Sequence, residues 1–144
     1  MTLLERVRGM IRGDQPPAPV AELVGFRILE VEPGRAVFAM DAGPRHANPM
    51  GTLHGGILCD LADAAMGIAY ASTLAEGESF TTLELKINFL KPVWTARLRA
   101  EARVVKRGRT VGLAECDVVD ETGSLVARAS STCMTLAGTT SEGR

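Results

Sequence analysis

The stretch "NPMGTLHGGILCDLADAAMGIAYA", Asn48 to Ala71, gathers the residues whose types and spacing could do chemistry. Two acids, Asp60 and Asp63, stand in an otherwise apolar helical run that begins at Gly55 and Gly56, and residues three apart share one side of a helix. A carboxylate in an apolar setting can attack an electrophilic carbonyl or deprotonate water. Backbone N–H groups at a helix start without side chains carry partial positive charge, which suits a developing oxyanion. Each feature also has a plainer reading. An acid near a helix amino terminus is stabilised by the macrodipole, by ~0.3–1 kcal/mol, which fits Asp60 better than the deeper Asp63. Burying Asp63 is costly unless something uses or pairs it. The glycines also simply make the turn into the helix. His54 reads as a loop-fixing hydrogen-bond donor or as a base. Asn48 could offer its amide to a carbonyl, but Asn before Pro49 is also ordinary turn chemistry.

These residues need elements to hold them. The helix, from Gly55 or Gly56 to about Leu74, is apolar almost all round and should be buried on most sides. Before it, "FRILEVE" and "RAVFAMDA" alternate around "PGR" as an antiparallel hairpin. After it, "FTTLELKINFLKPV", "ARLRAEARVVKRG", "TVGLAECDVVD" and "SLVARASSTCMTL" read as strands, with turns at "KRGR" and "DETG". One long helix among antiparallel strands is an α+β arrangement, with the sheet wrapped around the helix or a second subunit against a sheet edge. At the front, "MTLLERVRGMIRG" is an amphipathic helix with Leu3, Leu4, Val7, Met10 and Ile11 on one side, and the breaker-rich "GDQPPAP" follows. The expected division is an add-on helix and linker over 1–19, a main body over 20–137 and a polar tail over 138–144.

At 144 residues, 46% hydrophobic, 23% charged and a net charge of -1, the chain carries no electrostatic footprint for nucleic acid. Cys59, Cys116 and Cys133 form no CxxC or Cys/His spacing, so free thiols in a reducing cytoplasm are expected, with neither disulfides nor a metal site. Glu5, Arg6, Arg8 and Arg12 interrupt any signal-peptide core, and no run is long enough for a membrane span. Neither a GxSxG elbow nor a Cys–His pair competes for a nucleophilic role.

The run "NPMGTLHGGILCDLAD" resembles the signature of hotdog-fold acyl-CoA thioesterases, in the branch similar to phenylacetate-pathway (PaaI-type) enzymes of the 4-hydroxybenzoyl-CoA thioesterase superfamily. The resemblance extends through "FTTLELKINFLKPV" and covers roughly Val24 to Leu136. It implies a hotdog fold, dimers whose sheets join, commonly two dimers in a tetramer, and hydrolysis of an acyl- or aryl-CoA to free acid and CoA without a cofactor. By the same resemblance Asp63 matches the catalytic nucleophile or general base, and Gly55 the amide that polarises the thioester carbonyl. Asn48 matches a side-chain amide at that carbonyl, and Thr82 a hydroxyl that orients water. The site would be shared across the dimer. An aryl-acetyl or hydroxyaryl group leads as substrate, with medium-chain acyl groups close behind. Coenzyme A brings phosphates, so Lys106, Arg107 and Arg109 in the turn and Lys91 before Pro92 are candidate contacts, with the open backbone of Gly56 beside the carbonyl; a basic turn is also often only solvated surface. Two rivals remain: a hydratase or dehydratase using His54 or His46 with an acid, and a non-enzymatic acyl-CoA sensor, for which the N-terminal helix is too small a DNA-binding segment.

Overall fold

The computed structural model describes all residues from Met1 to Arg144. Six antiparallel strands form one sheet: β1 (Phe26–Glu32), β2 (Arg35–Ala42), β3 (Ser79–Phe89), β4 (Ala96–Arg107), β5 (Val111–Val119) and β6 (Leu125–Leu136). Their spatial order is β1-β2-β4-β5-β6-β3, so the hairpin and the strand after the long helix lie at opposite edges. This is the hotdog fold: the sheet curls around one helix, which packs against all six strands.

That helix is the third in the chain. The first two are α1 (Leu3–Arg12) and α2 (Pro19–Val24), and the central one is α3 (Gly55–Ala71). Ala62, Ala65 and Ala69 of α3 face Ala100, Ala102, Ala114 and Ala129 of the sheet within one core cluster, all of them buried. Small residues on both sides let the backbones approach, while Leu61, Met66 and Leu98 fill the remaining space. The alternation of β4, with Ala96, Leu98, Ala100 and Ala102 inward, is the period of a strand with one covered face.

Three features differ from the sequence reading. The helix stops at Ala71 rather than Leu74, because beyond it the Thr73 and Leu74 N–H groups bond three residues back, to Tyr70 and Ala71, instead of four, while the Ser72 hydroxyl ties this end to the Glu32 carbonyl. A helix stands at Pro19–Val24, immediately after the linker; Pro19 occupies its first turn, where the missing N–H costs nothing, and Gly25 ends it at φ +95°. And α1 is docked rather than loosely appended. A Thr2/Glu5 capping box starts it, its Val7 is buried, and it packs on β1 and α3.

The curled sheet does not close. Its edges, β1 and β3, flank the side of α3 that carries Asp63, Ala64, Gly67 and Ile68, and α1 and α2 lie over that opening. Their attachment to the body runs through the Val24 carbonyl, which accepts from His46 Nε2 at 2.7 Å and Arg45 at 3.2 Å. Since the Gly43 N–H donates to His46 Nδ1, the imidazole proton sits on Nε2. A side chain at position 25 would collide with Arg45, so this clamp needs the glycine.

Candidate active site

Along α3 the chemistry-bearing residues fall into two groups. At the helix start, the Gly56 N–H donates to His54 Nδ1 at 2.9 Å. His54 is therefore an acceptor that caps the helix, not the donor expected for it. The neighbouring Gly55 N–H has no acceptor in the chain, so of the glycine pair only Gly55 presents a free amide. A Cβ on Gly55 would lie 2.8 Å from the Phe89 ring, which explains the residue sterically as well. Asn48 lines the same cleft as Gly55, with Phe89, Leu90 and Lys91 on its far wall. Its Oδ1 accepts from the N–H groups of Met50 and Thr52, and its Nδ2 donates to Thr52 Oγ1 at 2.7 Å, leaving one amide hydrogen free.

Eight residues further on, Asp63 and Thr82 meet: Thr82 Oγ1 donates to Asp63 Oδ1 at 3.1 Å. The register of β3 against β6 shifts at Leu83, immediately after Thr82, and a bulge of this kind redirects the side chains beside it. Both acids are exposed in the single chain, Asp63 against the burial expected for it; the open side of the sheet leaves them uncovered. Asp63 nonetheless lines an apolar chamber, and the loss of water there pushes its carboxyl above the ordinary value of 3.8; the Thr82 hydroxyl opposes this and the charge of Asp60 adds to it. Cys59, near both acids, is held as the neutral thiol by burial and by the two carboxylates, so it is no rival nucleophile.

The chamber has a volume of about 530 Å³. Phe26, Phe38 and Phe80 line it from the sheet, and Met10, Ile11 and Val20 from the N-terminal helices. On the other side of Asp63 and Thr82 a shallow groove runs past Cys59, Asp60 and Leu83. The two residues stand where groove and chamber meet. The N-terminal lining escaped the sequence reading, although the apolar side of α1 was its signal; nothing in a linear pattern says which surface such a side covers.

The basic candidates are dispersed. Lys91 Nζ is paired with Asp120, which is buried and also receives bonds from Thr122 and Ser124; the lysine holds that carboxyl well below the usual range. Arg107 stacks 5.0 Å from the Tyr70 ring centroid and donates to Thr73 Oγ1 at 3.1 Å, at the carboxyl end of α3. Lys106 and Arg109 are exposed and take part in no ion pair. None of the four lines the chamber. No three His, Cys, Asp or Glu side chains converge, and no helix is long and apolar enough to cross a membrane.

The thioesterase superfamily matches residues 50–127, from the loop before α3 into β6. The 1,4-dihydroxy-2-naphthoyl-CoA hydrolase of Listeria monocytogenes is 30% identical over 105 residues, which cover 73% of this chain and 85% of that protein. The solved structure of a phenylacetic acid degradation-related protein from Ralstonia eutropha JMP134 is 34% identical and superposes with a TM-score of 0.81 over 89% of this chain and 98% of the other. The PaaI protein of the E. coli phenylacetic acid degradation operon superposes at 0.83 with 25% identity, over 95% and 98% of the two chains.

Proposed function

The chain belongs to the thioesterase superfamily and is a thioester hydrolase of the PaaI-like type, and from that premise we propose that its substrate is an acyl- or aryl-coenzyme A opened by Asp63. The observation that carries this reading is the Thr82–Asp63 hydrogen bond at the mouth of an apolar chamber. Thr82 fixes Oδ1, and Oδ2, which accepts no hydrogen bond within the chain, is the reacting oxygen. It attacks the thioester carbonyl carbon, expelling the CoA thiolate and leaving an anhydride for water to open, or it takes a proton from the water that attacks. In either course a tetrahedral oxyanion forms, and the free Gly55 amide is the donor for it, assisted by the spare hydrogen of Asn48 Nδ2.

One chain does not bring these groups to the same carbonyl. Gly55 and Asp63 are separated by roughly 12 Å of helix rise, whereas nucleophile and oxyanion donor must both lie within about 3.5 Å of the reacting group. A second copy, supplying Gly55 and Asn48 to the first copy's Asp63, resolves the distance. The long outer edge of β3 is unpaired, and Leu83, Phe89 and Leu90 are exposed on or just beyond it, which suits strand pairing between two subunits. Lys106 and Arg109, free of ion pairs, are the residues for the CoA phosphates. Lys91 and Arg107 serve that role only if they leave Asp120 and Tyr70.

The test is release of CoA thiol from aryl-, short- and medium-chain acyl-CoAs by the wild type and Asp63→Asn. Hydrolysis that falls about 10³-fold in a folded Asp63→Asn protein is expected, within the range for a lost acid or base. A variant as active as the wild type overturns the role of Asp63.

A further inference from the structure

Behind Thr82 the sheet holds two polar side chains that the thioesterase chemistry leaves unused. Ser131 and Cys133, on the inward face of β6, are both fully buried. In the register of β3 against β6, Cys133 stands directly opposite Thr82, and side chains paired in this way share one face of the sheet. We propose that Ser131 and Cys133 are positioning residues: they form a one-way chain of donors, Ser131 to Cys133 to Thr82 to Asp63, that aims the Thr82 hydroxyl at the catalytic carboxylate. The inference rests on the reading of Asp63 as that carboxylate and names what orients its partner.

Counting hydrogens gives the chain its direction. Each of the three side chains behind Asp63 has a single hydrogen to donate. Thr82 gives its own to Asp63 Oδ1 at 3.1 Å, so its oxygen is left as an acceptor. The partner of Ser131 Oγ is Cys133 Sγ at 3.9 Å, a reach that the larger radius of sulfur allows. Were the thiol the donor in that pair, the Ser131 hydrogen would be buried without an acceptor, at the cost of a lost hydrogen bond. Ser131 therefore donates to Sγ, and the thiol hydrogen goes to Thr82, with which Cys133 is also hydrogen-bonded. The thiol keeps that hydrogen: burial pushes its pKa up, the bonds with Ser131 and Thr82 oppose this, and the charges of Asp63 and Glu84 add to it. Packing alone asks for neither residue. The strand turns Ala127 and Ala129 inward and changes to Ser131 and Cys133 only where it passes Thr82. In such a chain each bond polarises the next, so a hydroxyl held this way binds Oδ1 more firmly and leaves Oδ2 for the reaction.

The test is a double-mutant cycle between Cys133 and Thr82, read on thioester hydrolysis. Cys133→Ala is expected to lower kcat about five-fold, the worth of one neutral hydrogen bond, with KM little changed, and to move the acid limb of kcat/KM up. Cys133→Ser keeps a donor and is expected to restore both. Ser131→Ala, a smaller change in packing, is expected to act in the same direction by less, and it carries the same cycle should Cys133→Ala fail to fold. Against Thr82→Val, both alanine variants are expected to change nothing further. The other ionisable groups lining the chamber and groove at Asp63 are Asp60 and Cys59 on α3, Glu84 on β3 and Arg27 on β1, and all variants keep them. The chain of donors is overturned, with hydrolysis standing, by an alanine effect undiminished in Thr82→Val or by wild-type kcat and limb in both alanine variants. A Cys133→Ser protein as impaired as Cys133→Ala overturns it equally. If the wild type hydrolyses nothing, or Asp63→Asn is as active as the wild type, the catalytic reading fails by itself, and carbon-13 NMR titration of the Asp63 carboxyl decides the chain. A pKa that Cys133→Ala raises only while Thr82 is present supports it; one unmoved, or moved equally in both backgrounds, overturns it.

Discussion

The two ends of the reactive stretch of α3 are built on opposite lines. At the amino end nearly every polar group is already committed: Asn48 mostly to its own loop, His54 to the Gly56 amide and Lys91 to Asp120, and what is left over is the Gly55 N–H and one Asn48 amide hydrogen. Two turns along, Asp63 has one hydrogen bond, an apolar chamber beside it and a carboxyl made less acidic by lost hydration. The first end is a rigid mount that holds its few free donors in place. The second holds a reactive group at some energetic cost. The difference indicates where rigidity serves a reaction and where tension does: an oxyanion donor must be fixed, whereas a carboxylate becomes a better base as its hydration is stripped away.

The sharpest attempt to break this contrast joins both ends. Pro is compatible with the first turn of a helix, so Gly55→Pro removes the free amide while keeping α3, with Gly55→Ala controlling for the push on Phe89. Loss of this donor is expected to cost about 10²–10³-fold in kcat. Co-expressed Gly55→Pro and Asp63→Asn chains should then recover about a quarter of wild-type activity, since half of the random dimers hold one intact composite site. No recovery in verified hybrids places the two groups in independent roles.

A smaller effect separates mount from catalyst. Removing the cap with His54→Ala is expected to destabilise the protein by ~1 kcal/mol in denaturant unfolding, with a loss of activity far below that of Asp63→Asn. Loss of turnover equal to that of Asp63→Asn instead favours histidine chemistry of the hydratase kind.

Smaller still are shifts in the pH profile. Asp63 must be ionised to act and its pKa is raised, so the acid limb of kcat/KM is expected above 3.8. Asp60→Asn removes a like charge and moves the limb down; Thr82→Val removes a hydrogen bond that favours the carboxylate and moves it up. Unmoved limbs in both variants detach the profile from Asp63.

The slightest change is in stability. A carboxyl whose folded pKa lies above its unfolded one contributes stability that is fully present below the unfolded pKa and lost as pH rises through the folded pKa. At neutral pH ionised Asp63 is thus a net cost, and Asp63→Asn is expected to raise Tm slightly above pH 6 and not at pH 3. A fall in Tm at neutral pH shows the carboxylate holding the fold together.

Much of this was legible in the linear pattern. The hairpin was readable residue for residue, because two apolar-rich runs, "FRILEVE" and "RAVFAMDA", flank a Pro-Gly turn, although burial in β2 runs unbroken from Ala36 to Met40 rather than alternating. The start of α3 at the glycine pair and the strand nature of β4, β5 and β6 were equally plain. The helix at Pro19–Val24 was hidden because six residues carry too little periodicity and three prolines precede or begin it. The commitment of Lys91 was hidden because Asp120 lies far along the chain. The burial of Asp63 was misjudged for a related reason: an apolar helix says how much of its surface is covered, not which strip is left open.

By itself, then, the sequence determined the long helix, the strands, the α+β class and the candidacy of Asp63, Gly55 and Asn48, since local periodicity and residue chemistry are properties of neighbours along the chain; Thr82 was a candidate only through the family resemblance. The tertiary structure alone decided that Thr82 bonds Asp63 across 19 residues and that only one of two glycine amides is free. It also decided that the N-terminal helices wall the chamber, because β3 crosses to the far edge of the sheet and leaves the opening they cover. Contacts of that kind depend on where distant segments meet, and no local pattern encodes the meeting.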